Sequence, residues 1–361
     1  MVESIFVGLD VHARSVVAYA LDPVTGQCWQ ARFEGAGMGE LVGWCNRLPG
    51  PVQVVYEAGP TGFELARRLQ DAGLGVQVAA PSKLPVTGDR VKTDRRDAKD
   101  LARWLAAGTI IVPVWIPDRD IEAARDLFRC REDAWLASRS SRQRLGHFLL
   151  RHDETWDKAC WTKTHLAWLG SRHFADPLTQ NVFDEYLNIA TEDLRRVNEL
   201  DKLVTEQSAS PRWAPQVQAL ECLRGISTLT AFGLLAEIGE WTRLTPVTIG
   251  SYLGLVPSET SSGQTRHQGG ITKTGNTHAR RLLIEAAWIH HKPYRPASSP
   301  TLQRAFDKAP PQVRARADLA NRRLNNEWVK HDAKGHRKII TAAAIARQLA
   351  GYCHDLAVMT S

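Results

Sequence analysis

The sequence predicts an α/β domain at its N-terminal end, followed by an α-helical arm and a mainly α-helical C-terminal region. Three observations lead there. Five short apolar runs, three joined by turns and two at βαβ spacing, fall before residue 112. A charged, proline-free and helix-permissive stretch runs from about Asp118 to Asp153. Beyond Pro215, apolar residues recur at helical spacing around a loop rich in Gly, Ser and Thr. The expected boundaries are therefore 1–112, 113–210 and 211–361. At 361 residues the chain is long enough for two or three domains.

In order, Ile5 to Leu9 is apolar and ends at Asp10, Val16 to Leu21 follows, and the turn Asp22-Pro-Val-Thr-Gly26 leads to Cys28–Phe33. This reads as a three-strand antiparallel meander. A helical pattern from Met38 to Leu48 precedes Pro51–Tyr56, apolar enough for a strand covered on both faces, with Glu57 at its end. Phe63 to Ala72 is helical in spacing and Gly75 to Ala80 is a further strand. From Asp94 a helix resumes with Ala98, Leu101, Ala102 and Leu105 on one face. The order β-β-β-α-β-α-β-α is that of the ribonuclease-H-like fold, whose open sheet places chemistry beyond the carboxyl ends of its strands.

The stretch Asp118–Asp153, anchored by Ile121, Ala124, Phe128, Trp135 and Leu149, and a second helix over Thr191–Gln207 predict an antiparallel coiled-coil arm suited to dimerisation. An ordinary helical insertion is the alternative. Ser208-Ala-Ser-Pro-Arg-Trp-Ala-Pro215 breaks the pattern. Leu223-Arg-Gly-Ile-Ser-Thr-Leu-Thr-Ala231 fits either a phosphate-holding helix-hairpin-helix or a plain helical hairpin. The Ser258–Gly270 loop, rich in Gly, Ser, Thr and Arg, suits close approach of backbone to phosphate before the amphipathic helix Ala279–His290. A last helix over Lys338–Leu356 turns Ile339, Ala343, Ile345, Ala346 and Leu349 inward.

Lys and Arg number 46 against 39 Asp and Glu, for a net charge of +7, and the pI is near 9.2. This balance suits a chain that meets phosphates. Within it four acids stand out. Asp94 and Asp97, at i and i+3, share a helix face about 5–6 Å apart at Cβ, and Asp10 and Glu57 close apolar strands. So many acids repel one another, and a cation is their expected partner. Taken alone, Asp94-Arg-Arg-Asp-Ala-Lys-Asp100 also fits a solvated helix face. Asp100, at i+6 from Asp94, is off the shared face. The six cysteines show no Cys-x-x-Cys spacing, and neither a zinc site nor a disulfide framework is expected. No export signal or membrane span is expected either, and a reducing cytoplasm is the natural compartment. The 12 tryptophans are read as core of the helical arms rather than stacking platforms for bases.

Gly8-Leu-Asp-Val-His12, Tyr56-Glu-Ala-Gly-Pro-Thr-Gly62 and Lys92-Thr-Asp-Arg-Arg-Asp-Ala-Lys-Asp-Leu-Ala102 resemble the three acidic blocks of the DEDD transposases of bacterial insertion sequences, relatives of Piv-type DNA invertases. Tyr252-Leu-Gly-Leu-Val-Pro257, Ser261-Ser-Gly263 and Gly270-Ile-Thr-Lys-Thr-Gly-Asn276 are similar to that family's C-terminal domain. The resemblance implies a RuvC-like N-terminal domain that holds Mg²⁺, with Mn²⁺ as the alternative, through Asp10, Glu57, Asp94 and Asp97. It also implies a serine nucleophile that joins covalently to DNA. Ser262, before Gly263, matches the family's Ser-Gly pair, with Ser261 as the alternative and Ser258 in the same loop. Further implied are target and donor DNA, a non-coding bridge RNA as guide, homodimers that assemble into tetramers with a shared active site, and a nucleoid-associated location in a bacterium. Arg266, Lys273, Arg280 and Arg281 are candidate phosphate or RNA contacts, and His267 fits a base, a phosphate donor or a plain loop residue equally. Two other readings stand beside this one: a metal-dependent resolvase-like nuclease that uses water, and a non-catalytic nucleic-acid-binding protein.

Overall fold

The computed structural model describes residues 4–35, 38–85, 93–109, 113–262 and 265–361. They form two compact units that divide at Ile116/Pro117.

In the first unit, β1 (Ile5–Val11), β2 (Ser15–Leu21) and β3 (Cys28–Glu34) form the expected meander, followed by helix α1 (Met38–Asn46). Next come β4 (Val52–Glu57), α2 (Glu64–Asp71), β5 (Gly75–Ala79) and α3 (Asp94–Ala106). The sheet order is β3-β2-β1-β4-β5, with β4 parallel to both β1 and β5. A mixed sheet of this order is compatible with the ribonuclease-H-like expectation. Alternation along the strands decides which helix covers which face. Ile5, Val7 and Leu9 of β1, with Val52, Val54 and Tyr56 of β4, pack against Leu41 and Cys45 of α1 and Leu65 and Leu69 of α2. The other face meets α3: Val17 and Tyr19 pack on Ala98 and Ala102, and Val55 and Ala79 on Leu101 and Leu105.

The second unit is mostly helical. Helix α4 (Arg119–Arg151) is capped by Asp118, whose carboxylate accepts from the Ile121 amide at 2.8 Å. After the short α5 (Lys163–Gly170), helix α6 (Pro177–Ser208) begins earlier than expected. Asp176 caps it, and Pro177 occupies its first turn, where no amide is missed. The two long helices pair antiparallel: Arg131 meets Asp201 at 2.6 Å, while Phe148, farther along α4, stacks on Phe183, farther back on α6. Phe183, Ala190, Val197 and Val204, every seventh residue of α6, are its buried apolar line. At the end of this hairpin the rings of Trp156, Trp161 and Trp168 gather around His165. Arg142 lies over Trp161 and Arg172 over Trp168. Trp156 and Trp168 thus pack on each other, and Trp161 and Trp168 carry arginines.

The chain continues through α7 (Ala214–Glu221), α8 (Thr228–Ile238), α9 (Thr248–Tyr252), β6 (Pro257–Ser262), β7 (Thr265–Ile271), α10 (Thr277–Ala287), α11 (Pro300–Lys308), α12 (Pro311–Ala333) and α13 (Lys338–Val358). The α7–α8 turn is packed inward. Gly225, at φ +84°, has the backbone of Ala286 where a side chain would stand, and the Arg224 amide donates to Asn321 at 2.9 Å. This favours the plain helical hairpin over a phosphate-holding turn. The polar segment 296–336 contains the long α12, which buries Val313, Ala317, Ala320, Leu324 and Trp328. Ile339 departs from expectation, being 63% exposed. The first turn of α13 overhangs the core, and there Ile339 borders a cavity of about 1040 Å³ with Val247 and Ile284.

Candidate active site

In the first unit the strand directions bring the acids together. Leu9 stands opposite Tyr56 in the parallel β1–β4 ladder, and Asp10 and Glu57 are the next residues at the carboxyl ends of the two strands. Both are out of phase with the residues that face α1 and α2, so both point to the α3 side. Gly8, two residues before Asp10, lets α3 come close: a Cβ there would lie 2.0 Å from the Ala98 carbonyl oxygen and 2.6 Å from the Ala102 nitrogen. The small Ala98 and Ala102 complete that contact. Thr93 caps α3 by accepting from the Arg96 amide, which sets Asp94 and Asp97 in the first turn, where the helix dipole favours negative charge.

A residue missed by sequence reasoning joins them. His12 Nε2 is 3.2 Å from Asp10 Oδ2 and 3.6 Å from Asp94 Oδ2. Among the described residues, Asp10, His12 and Asp94 are the group whose ligand atoms lie within 4.8 Å of one another. Glu57 and Asp97 fall outside that compact group. Asp97 still acts on Asp10, whose carboxyl is raised above its ordinary value by burial and by the charges of Asp94 and Asp97, against a lowering by His12. Arg32 Nη1 approaches Asp94 at 3.9 Å while its Nε bonds Glu34 at 2.6 Å. Arg32 and Arg95 flank a cavity of about 600 Å³ on the β2–β3 side of Asp94. The oxygen-rich donor set fits a hard divalent cation, which takes carboxylate oxygens in preference to softer ligands.

The raised Asp10 carboxyl has a consequence for stability. Its folded pKa exceeds the ordinary 3.8, so the folded chain holds that proton more tightly than the unfolded one. The favourable contribution is present at low pH and is lost as pH rises through the folded value. In metal-free protein at neutral pH, Asp10→Asn is therefore expected to raise Tm, and the gain should vanish below pH 3.8. Thermal melts in EDTA check this, and a lower Tm for the variant at pH 7 would contradict it.

In the second unit, the expected serine loop is a two-stranded hairpin. Ser261 pairs with Arg266 and Ser262 with Thr265 in register. The side chains of Ser261, Ser262 and Arg266, and the whole of Gly263, lie outside the described residues. Ser258 stands at a bulge, with its Oγ beside Gly269, and His267 is exposed opposite Thr260. The base of the hairpin is held firmly. Gly254 and Gly275, both at positive φ, let the Tyr252–Pro257 and Gly270–Asn276 backbones touch, since a Cβ on Gly275 would lie 1.9 Å from the Tyr252 carbonyl oxygen. The Thr272 amide donates to the Val256 carbonyl at 2.9 Å.

Arg280 serves this base. It is buried, and its Nη1 donates to the Leu253 and Thr274 carbonyls at 2.9 and 2.8 Å, a structural role its charge did not reveal. Arg281 pairs with Glu132 and Glu285 and remains partly exposed. Lys273 is exposed, at φ +56°. Below the hairpin, the buried Glu237 accepts two bonds from Arg129 at 2.8 Å and one from Asn276 at 2.6 Å. Burial pushes the Glu237 carboxyl up, but these bonds outweigh it and hold it below its ordinary value. Asn276 also caps α10.

Residues 7–152 match a DEDD transposase model of the IS110 group, and residues 217–299 match the model described as the IS116/IS110/IS902 transposase family. A Sinorhizobium fredii protein named as a transposase, y4qE, is 35% identical over 98% of this chain and 88% of its own length. The chain belongs to the IS110 family of DEDD transposases. The transposase for insertion sequence element IS1533 of Leptospira borgpetersenii is 29% identical over 91% of this chain and 96% of its own. A probable family 20 transposase of Pseudomonas aeruginosa is 26% identical over 67% of this chain. This IS110-family protein is thus a DNA transposase, an enzyme, and the non-catalytic reading falls. Membership also implies use of a divalent metal. No described helix is long and apolar enough to cross a membrane.

Proposed function

We propose that this transposase cuts and rejoins the DNA of an insertion element with Mg²⁺, or Mn²⁺, held by Asp10, Glu57, Asp94 and Asp97, and with Ser262 as nucleophile. The observation that carries the reading is the convergence of Asp10 and Asp94, with Glu57 on the adjoining strand end and Asp97 one turn along α3. A divalent ion there supplies Lewis-acid activation and neutralises charge on the phosphate. The acids offer it oxygen ligands. Arg32 and Arg95, along the cavity beside Asp94, suit the flanking phosphates of a bound strand.

As Ser262 Oγ bonds to phosphorus it gives up its proton, a P–O bond to the DNA breaks, and the departing oxygen takes a proton; reversal on a second strand rejoins the DNA. A hairpin held at its base, with Lys273 exposed beside it, suits delivery of that hydroxyl. Guidance by a non-coding RNA accords with the net charge of +7. Assembly into dimers and then tetramers accords with Leu178, Val182, Ile189 and Leu203, exposed apolar residues of α6 outside its buried line.

Trapping protein on element-end DNA under denaturing conditions tests the serine. A covalent adduct is expected from the wild type and from Ser258→Ala, and none from Ser262→Ala. Loss in Ser261→Ala alone would move the nucleophile by one residue. Cleavage by the wild type with no adduct would leave the reading in which water attacks.

A further inference from the structure

We propose that His12 is a ligand of the same divalent ion, so that the centre is a mixed nitrogen and oxygen site rather than an all-carboxylate one. The proposal rests on the metal-site reading above and deepens it.

Geometry supports it first. Adjacent ligands of an octahedral ion bound at about 2.1 Å stand about 3 Å apart, and opposite ones about 4 Å apart. His12 Nε2 lies 3.2 Å from Asp10 Oδ2 and 3.6 Å from Asp94 Oδ2, between those limits on both sides. Among the described residues it is His12, and not Glu57 or Asp97, that completes a compact group of ligand atoms with Asp10 and Asp94.

Placement supports it next. His12 follows Asp10 by two residues at the end of β1, the spacing that keeps side chains on one face. Its amide donates to the Ser15 carbonyl at 2.9 Å, which pins the tight β1–β2 turn and with it the ring's origin. The ring is 51% exposed, so it reaches the acids from the solvent side, where an entering ion and a phosphate oxygen would also come. His12 is the only histidine in residues 1–116. An imidazole beside two carboxylates tilts preference from Mg²⁺ toward ions that accept nitrogen, along the order Mn²⁺ to Co²⁺.

The test uses the full-length protein with Mn²⁺ as spectroscopic probe, read by electron spin-echo envelope modulation. A ¹⁴N coupling is expected in the wild type, replaced by a ¹⁵N coupling when histidine is ¹⁵N-labelled, a comparison that needs no mutation. In His12→Ala and His12→Asp the coupling should vanish while one Mn²⁺ still binds. Co²⁺ affinity should fall about tenfold or more in His12→Ala, since loss of even an outer partner of a metal site costs 10–100-fold. Mn²⁺ that binds one-to-one, is lost in Asp10→Asn and shows no histidine coupling would overturn the role of His12 and leave the acid site standing. Failure of the wild type to bind Mn²⁺ at all would overturn both.

Discussion

Asp10→Ala and Asp94→Ala should each lower transposition by about a thousandfold or more, while Asp100→Ala stays within a fewfold of wild type. Asp10 and Asp94 bring their carboxylates to one point with His12 between them. Removing either acid takes away part of the charge that holds the cation. Metal assistance contributes several kcal/mol to the transition state, and at 1.36 kcal/mol per tenfold, a loss of about 4 kcal/mol is a factor of about a thousand. The metal-free fold should survive, because Asp10 is strained rather than stabilised by its surroundings, with burial the main cause of its raised pKa. Counting transposition events of a marked element, with the protein level checked on the same cells, gives the measurement. Asp94→Ala retaining more than a tenth of wild-type frequency would mean that the α3 acids are a solvated helix face after all.

Gly8→Ala should be at least as damaging, by a different route. The added methyl would meet the Ala98 carbonyl oxygen at 2.0 Å, the Ala102 nitrogen at 2.6 Å and Leu101 Cβ at 2.9 Å. Two of these are backbone atoms on the packed face of α3 and cannot rotate away. Strand β1 and helix α3 must separate instead, which opens the packing of Val55 and Ala79 on Leu101 and Leu105. Overpacking of a core typically costs about 1–3 kcal/mol and occasionally more, and a backbone clash belongs at the upper end. For a unit of this size that lowers Tm by about 10 °C or more. Any protein that folds would hold Asp94 away from Asp10 and should be inactive. Calorimetry on the purified variant checks the first effect and strand cleavage the second. Unchanged Tm together with full activity would show that the glycine is not what admits α3.

The first unit was legible because β1, β2 and β4 are largely buried on both faces. Such strands read as apolar runs, and the residue that ends each run, Asp10 or Glu57, stands out by contrast. The second unit was less so. Strands β6 and β7 carry almost no apolar alternation, because backbone contacts at Gly254 and Gly275 hold them rather than a core. Helix α12 hides its buried line from Val313 to Trp328 among arginines that face outward. His12 carried no periodic signal; only its two-residue spacing from Asp10 could have marked it. Arg280 and Arg281 looked alike as charges, yet neighbours on a helix point in different directions, one into carbonyls and the other toward Glu132. Charge alone cannot separate a phosphate contact from a structural arginine.

Metal dependence of DNA strand cleavage at an element end, compared between the wild type and Asp10→Asn, tests the central claim most directly. Cleavage by the wild type in Mg²⁺ or Mn²⁺, its loss in EDTA with recovery on restoring the metal, and none by Asp10→Asn under any condition is the predicted result. Cleavage that persists in EDTA, or that Asp10→Asn supports as well as the wild type, would contradict it.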